Sequence, residues 1–126
     1  MTQPSVYRTE LTPISFLQRS AYIYPNKVAV IHGDRQITYH EFSHRVGKLI
    51  AALKAKGIRR QDRVAFLAPN IPALLEAHFA VPGAQGILVA INTRLQSEEI
   101  EYIVEHSGAK ILFVDKQLHH LVESVD

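Results

Sequence analysis

Cysteine is absent from the 126 residues, which removes a disulfide scaffold, a thiolate metal site and a cysteine nucleophile together. No apolar run approaches the roughly 20 residues needed to cross a bilayer, so no membrane span is expected. An excess of one charge sign is also missing. Fourteen Lys plus Arg face 12 Asp plus Glu for a formal net charge of +2, too small a field to indicate nucleic acid as partner. The first ten residues lack the basic stretch and apolar core of a secretory signal, which makes the cytoplasm the expected compartment. Six glycines are scattered. Gly83-Ala84-Gln85-Gly86 lacks the earlier glycine of a dinucleotide fingerprint, and Gly47-Lys48 lacks the rest of a Walker loop. No phosphate cradle is therefore legible. What remains is 47% hydrophobic and 21% charged residues, the composition of one folded domain.

After a lead over residues 1–10, Thr12 and Pro13 open a helix expected to run to about Tyr22, with Thr12 as its cap. The apolar run Val28-Ala29-Val30-Ile31, the turn pair Gly33-Asp34 and Gln36 to Thr38 spell a short hairpin. Thr38 and Glu41 have capping-box spacing and open a helix that Gly57 closes, with Phe42, Val46, Leu49, Ile50 and Leu53 on its inward face. Three continuous apolar runs follow, Val64 to Leu67, Ile87 to Ile91 and Ile111 to Val114. They lack the alternation of a half-solvated sheet, so both faces should be covered. Helix signals lie between them at Asn70 to about Val81 and at Ser97 to His106. A last amphipathic segment carries Leu118, Leu121, Val122 and Val125. Alternating strands and helices predict an α/β fold, a Rossmann-like parallel sheet of three βα units preceded by a helix and a small hairpin. A small flavodoxin-like domain is the alternative, but Pro69-Asn70-Ile71-Pro72 offers no phosphate loop after the first parallel strand.

Several residues invite chemistry. His40-Glu41-Phe42-Ser43-His44 matches H-E-x-x-H, the helical pattern that sets two imidazoles on zinc beside a carboxylate base. At about 100° per residue, though, both histidines fall roughly 130° to 170° from the apolar stripe, and Glu41 is better used in the cap. A solvated face is therefore expected. His78 shares a helical face with Leu74, Leu75 and Phe79 and is expected to point inward. His119-His120 diverge too far to chelate one metal and read as surface. Lys54, Lys56, Arg59, Arg60 and Arg63 cluster around Gly57, where cations complement a helix C-terminus; no aromatic residues interleave to stack bases. Gly83 and Gly86 are expected to end one helix and turn the chain into the next strand, Asn70 to cap the helix after it, and Asp115 to cap the last. In parallel sheets ligands sit beyond the C-terminal strand ends. There, only Asn92-Thr93-Arg94 lacks a local explanation, and these three are the candidate binding residues.

Leu11-Thr12-Pro13-Ile14-Ser15-Phe16-Leu17, Tyr24-Pro25-Asn26-Lys27-Val28-Ala29-Val30 and Ile37-Thr38-Tyr39 with Glu41-Phe42 and Arg45 stand in order. So do Gly57-Ile58, Asp62-Arg63-Val64-Ala65, Pro69-Asn70, Ala90-Ile91-Asn92-Thr93-Arg94-Leu95 and His106-Ser107-Gly108-Ala109-Lys110-Ile111-Leu112. In this order and spacing the chain from Leu11 onward resembles the N-terminal portion of the AMP-forming acyl-CoA synthetases. Pro13 to Leu17 and His78-Phe79-Ala80-Val81-Pro82 are most similar to the branch acting on short- or medium-chain carboxylic acids. The resemblance implies a two-step ligation: a carboxylate attacks ATP to give an acyl-adenylate and pyrophosphate, and the thiol of coenzyme A then displaces AMP, with Mg2+ assisting the first step. The family's phosphate loop, ribose-binding aspartate and C-terminal lysine have no counterpart between Met1 and Asp126. The expectation is thus a non-catalytic portion, residues 1–126, of a larger adenylating domain, whose partners are the remainder of that enzyme and its acid substrate. No catalytic or metal-binding residue is assigned. The other class open at this point is a stand-alone α/β interaction or regulatory module. A parallel sheet with open edges also predicts self-association of the isolated chain.

Overall fold

The computed structural model describes residues 9–125. The first eight residues of the expected lead lie outside the described ones, and Thr9 to Leu11 have no regular structure. Helix α1 spans Pro13–Ile23. Thr12 caps it by accepting from the Ser15 N–H at 3.1 Å, and the Ser15 hydroxyl accepts from the Thr12 N–H at 3.0 Å. Strands β1 (Val28–His32) and β2 (Arg35–Thr38) form the expected antiparallel hairpin. Helix α2 (Tyr39–Ala55) starts on the Thr38/Glu41 box, the Glu41 carboxylate taking the Thr38 N–H at 2.8 Å.

The main sheet holds β3 (Arg63–Leu67), β4 (Ile87–Ala90) and β5 (Ile111–Val114), all parallel, in the order β4-β3-β5. The central strand explains its own unbroken apolar run, because Val64, Ala65 and Leu67 are fully buried. Val64 and Phe66 face α2 and α3 (Pro72–Gly83), packing with Leu53, Ala77 and Val81. Ala65 and Leu67 face the opposite layer, made by α4 (Ser97–Ser107) and a short 3₁₀ helix, Lys116–Leu121. Three layers result, as covered faces require. A second cluster of Leu17, Ile37, Phe42, Val46 and Ala80 ties α1 and the hairpin to α2 and α3, helped by the edge-to-face pair Phe42 and Phe79, 5.5 Å apart. The final amphipathic segment is thus a six-residue 3₁₀ turn rather than a full helix, and Leu118, Leu121, Val122 and Val125 still pack inward.

Helices α2, α3 and α4 end alike. Ile58 N–H reaches Leu53 C=O and Gly57 N–H reaches Lys54 C=O, a Schellman motif with Gly57 at φ +85°. The same pair of bonds closes α3 through Gly86 to Val81 and Gln85 to Pro82. There the left-handed residue is Gln85, φ 67°. Gly83 is the last residue of α3 and Gly86 stands directly before β4, as the sequence predicts, yet neither supplies the left-handed turn. Their missing Cβ admits close packing, since a methyl on Gly83 would sit 2.6 Å from Ile50 Cδ1 and one on Gly86 3.1 Å from the Asp62 carbonyl.

Candidate functional site

The C-terminal ends of the three parallel strands set Ala68-Pro69-Asn70, Asn92-Thr93-Arg94 and Asp115 on one side of the sheet. Two of these groups are spent locally. Asp115 caps the 3₁₀ helix, its carboxylate accepting from the Gln117 N–H at 2.9 Å as the sequence predicts. Asn92 Oδ1 accepts from the Arg94 N–H at 3.0 Å, an Asx turn that gives this loop the local explanation its sequence did not reveal. Asn70, by contrast, does not cap α3. The cap residue is Ile71, extended at φ −115°, ψ 164° and making no side-chain cap bond. Pro72 occupies the first helical position and drives the residue before it out of the helical region, so the helix begins one residue later than expected.

His40 and His44 are exposed on α2, and the carboxylate between them is held by Thr38. No group of three possible metal ligands comes together among the described residues. His119 and His120 are also on the surface. His78 overturns its expected placement: it is exposed, with Nδ1 2.8 Å from its own helix's Leu74 carbonyl. The inward polar residue of α3 is Glu76, 6% exposed, which receives Nε of Arg45 and, at 3.3 Å, its second guanidinium nitrogen. This fork joins α2 to α3 and raises the Arg45 pKa through the carboxylate bond. Sequence reasoning missed it. The available signal was a single charged residue in an otherwise apolar twelve-residue helix.

The basic cluster divides by role. Arg63 turns back onto the end of α4, where the negative end of the helix dipole lies, donating from Nε to the Ser107 carbonyl at 2.6 Å and from Nη2 to the Gly108 carbonyl at 3.4 Å, while Nη1 donates to the Gln61 carbonyl at 3.1 Å. Asp62 takes the Lys110 ammonium at 2.9 Å and the Arg59 N–H at 2.7 Å. Lys54, Lys56, Arg59 and Arg60 remain exposed.

Two concavities flank α3. A groove of about 310 Å³ lies between Val30 and Ile31 of the hairpin and Ile71, Leu74, Leu75 and His78. A trough of about 420 Å³ lies between α2 and α3, floored by the stacked rings of Phe66 and Phe113, 4.5 Å apart, with the Arg45–Glu76 pair in its wall. Both are mostly apolar. Among the described residues no buried side-chain polar atom is left without a partner, and the strand-end acceptors Asn92 and Asp115 are committed to backbone.

The sequence model of the AMP-binding enzymes matches residues 17–126. A peroxisomal butyrate–CoA ligase of Arabidopsis thaliana is 43% identical over 115 residues, covering 91% of this chain and 20% of that protein. An acetate–CoA ligase of Humulus lupulus is 41% identical with the same coverage. Among solved structures, an anthranilate CoA ligase in complex with anthranoyl-AMP superposes with a TM-score of 0.85 at 29% identity, over 89% of this chain and 22% of that one. A fatty acyl CoA synthetase of Mycobacterium tuberculosis gives 0.83 at 26% identity, over 87% and 22%. The chain spans about a fifth of the length of these curated relatives.

Proposed function

The chain belongs to the AMP-binding enzyme family, of whose domain it is an N-terminal part, and from that premise we propose that it supplies an α/β layer of an ATP-dependent carboxylic acid:CoA ligase without carrying its catalytic groups. The observation that carries this reading is the 43% identity maintained over 115 residues with a butyrate–CoA ligase. The match spans 91% of this chain, too much of it to rest on one shared motif. The acid is of short or medium chain. ATP, Mg2+ and coenzyme A belong to the assembled ligase, whose acyl-adenylate chemistry is the family's. This chain's own part is to hold its layers rigid and present the strand-end loops. Asn92, Thr93 and Arg94 are its contribution nearest to the chemistry, as contacts to the rest of the enzyme or its ligands. Among the described residues no helix is long and apolar enough to cross a membrane; the compartment we take is the cytoplasm, although the butyrate–CoA ligase above is peroxisomal.

A graft tests the proposal. The full 126-residue chain replaces the matching segment of the Arabidopsis butyrate–CoA ligase, and butyryl-CoA formation is measured with ATP and Mg2+. The expected result is a soluble graft within roughly tenfold of the parent rate, a loss of about 1.4 kcal/mol in transition-state stabilisation, while the isolated chain shows no ATP binding by calorimetry. A folded but inactive graft, or stoichiometric ATP binding by the isolated chain, would overturn it.

A further inference from the structure

Apart from Glu76 and His78, helix α3 is built of apolar residues on every side, a composition that in a soluble fold belongs to a helix buried all round. Three of its sides are used: Ala77, Val81 and Ala84 face the sheet, Phe79 and Ala80 face the α1 and hairpin cluster, and Glu76 is held by Arg45. Among the described residues nothing covers the fourth side. Leu75, His78 and Pro82, spaced i, i+3, i+7, are all exposed, Leu75 to 42%. Beside them across the 310 Å³ groove stands Ile31, 70% exposed. Among the described residues, no Lys, Arg, Asp or Glu lines this groove. The other outward helical faces carry charge: α4 shows Glu98, Glu99 and Glu105 to solvent, α2 shows Lys48 and Lys54, and α1 shows Arg19 beside its exposed Phe16 and Tyr22.

We propose that the Leu75–His78–Pro82 stripe and the adjoining groove are the seat on which the remainder of an AMP-binding domain docks, covering α3 on its last side. The inference rests on the family role proposed above, and the occupant follows from proportion and polarity. About four fifths of the length of the relatives lies outside the matched segment, and among the described residues this outward helical face lacks the Lys, Arg, Asp or Glu that the outward faces of α1, α2 and α4 carry.

The graft described above reads this out when it carries Leu75→Asp, with Leu75→Met as the conservative control and Tyr102→Asp as the control on α4, where Tyr102 is 64% exposed. A carboxylate forced into a dry apolar contact has no partner. Soluble yield of the Leu75→Asp graft is therefore expected to fall roughly tenfold or more, with a lowered Tm, while Leu75→Met and Tyr102→Asp match the unaltered graft. In the isolated chain, where Leu75 already meets water, Leu75→Asp should leave Tm within a few degrees. Equal yields for the Leu75→Asp and Leu75→Met grafts would overturn the docking site and leave the ligase reading standing. Failure of the unaltered graft to fold would overturn both. An isolated chain that sediments as a dimer and becomes a monomer with Leu75→Asp would assign the stripe to a second copy, and would overturn the proposal as well.

Discussion

Asp62 and Glu41 are carboxylates whose ionised forms the fold favours, each by bonds that only the folded chain offers. The Lys110 ammonium and then the Arg59 N–H hold the Asp62 carboxyl below its ordinary range; the Thr38 N–H does the same for Glu41. A depressed folded pKa contributes stability that is present above the unfolded value, about 3.9 for Asp and 4.3 for Glu, and that disappears as pH falls through the lower folded value. Urea unfolding measured from pH 7 to pH 3 should therefore show stability flat at neutral pH and declining below about pH 4.5. Asp62→Asn should be less stable at pH 7 and show a shallower acid decline. Because Lys110 is half exposed, added salt should narrow the difference between the two proteins at pH 7. The capping residues Thr12, Thr38 and Asp115 were legible from sequence because their bonds reach two or three residues along the chain. The Arg45–Glu76 fork was not: its partners are 31 residues apart, and nothing local marks them as neighbours.

Helix α2 offers two glycines on which one substitution should act with opposite sign. Gly47 lies inside the helix with no atom within 4 Å of where a Cβ would stand. Gly47→Ala should stabilise the protein by about 1 kcal/mol, since alanine loses less backbone freedom on entering a helix. Gly57 holds φ +85° in the Schellman motif that closes the same helix, a conformation costing an L-residue about 1–2 kcal/mol. Gly57→Ala should destabilise by about that amount, and chemical denaturation of the two variants checks both signs. The closing of α2 could be read from the sequence, because glycine after an amphipathic run marks a helix end. The closing of α3 could not. Its left-handed residue is Gln85, a type that carries no such mark, with Gly83 and Gly86 beside it serving packing instead. His78 was misplaced for a related reason: a helix with apolar residues on all sides has no periodicity from which to tell its inner face.

The assembled sheet has two open sides, because β4 and β5 each pair only with β3 among the described residues. Ile87 at the start of β4 is 49% exposed. Unpaired edges next to exposed apolar side chains template association, so sedimentation velocity on the isolated chain should show weight-average mass rising with concentration, and Ile87→Lys should suppress that rise. A monomer at all concentrations would remove self-association from the account. Periodicity, capping spacings and unbroken apolar runs were enough to establish the class of fold, the sequence of strands and helices and the family likeness, because each depends on residues within a few positions of one another. Strand order, the burial of Glu76 against Arg45, the outward turn of His78 and the uncharged stripe on α3 emerged only from packing. They depend on which distant surfaces meet, and no spacing along a single chain encodes that directly.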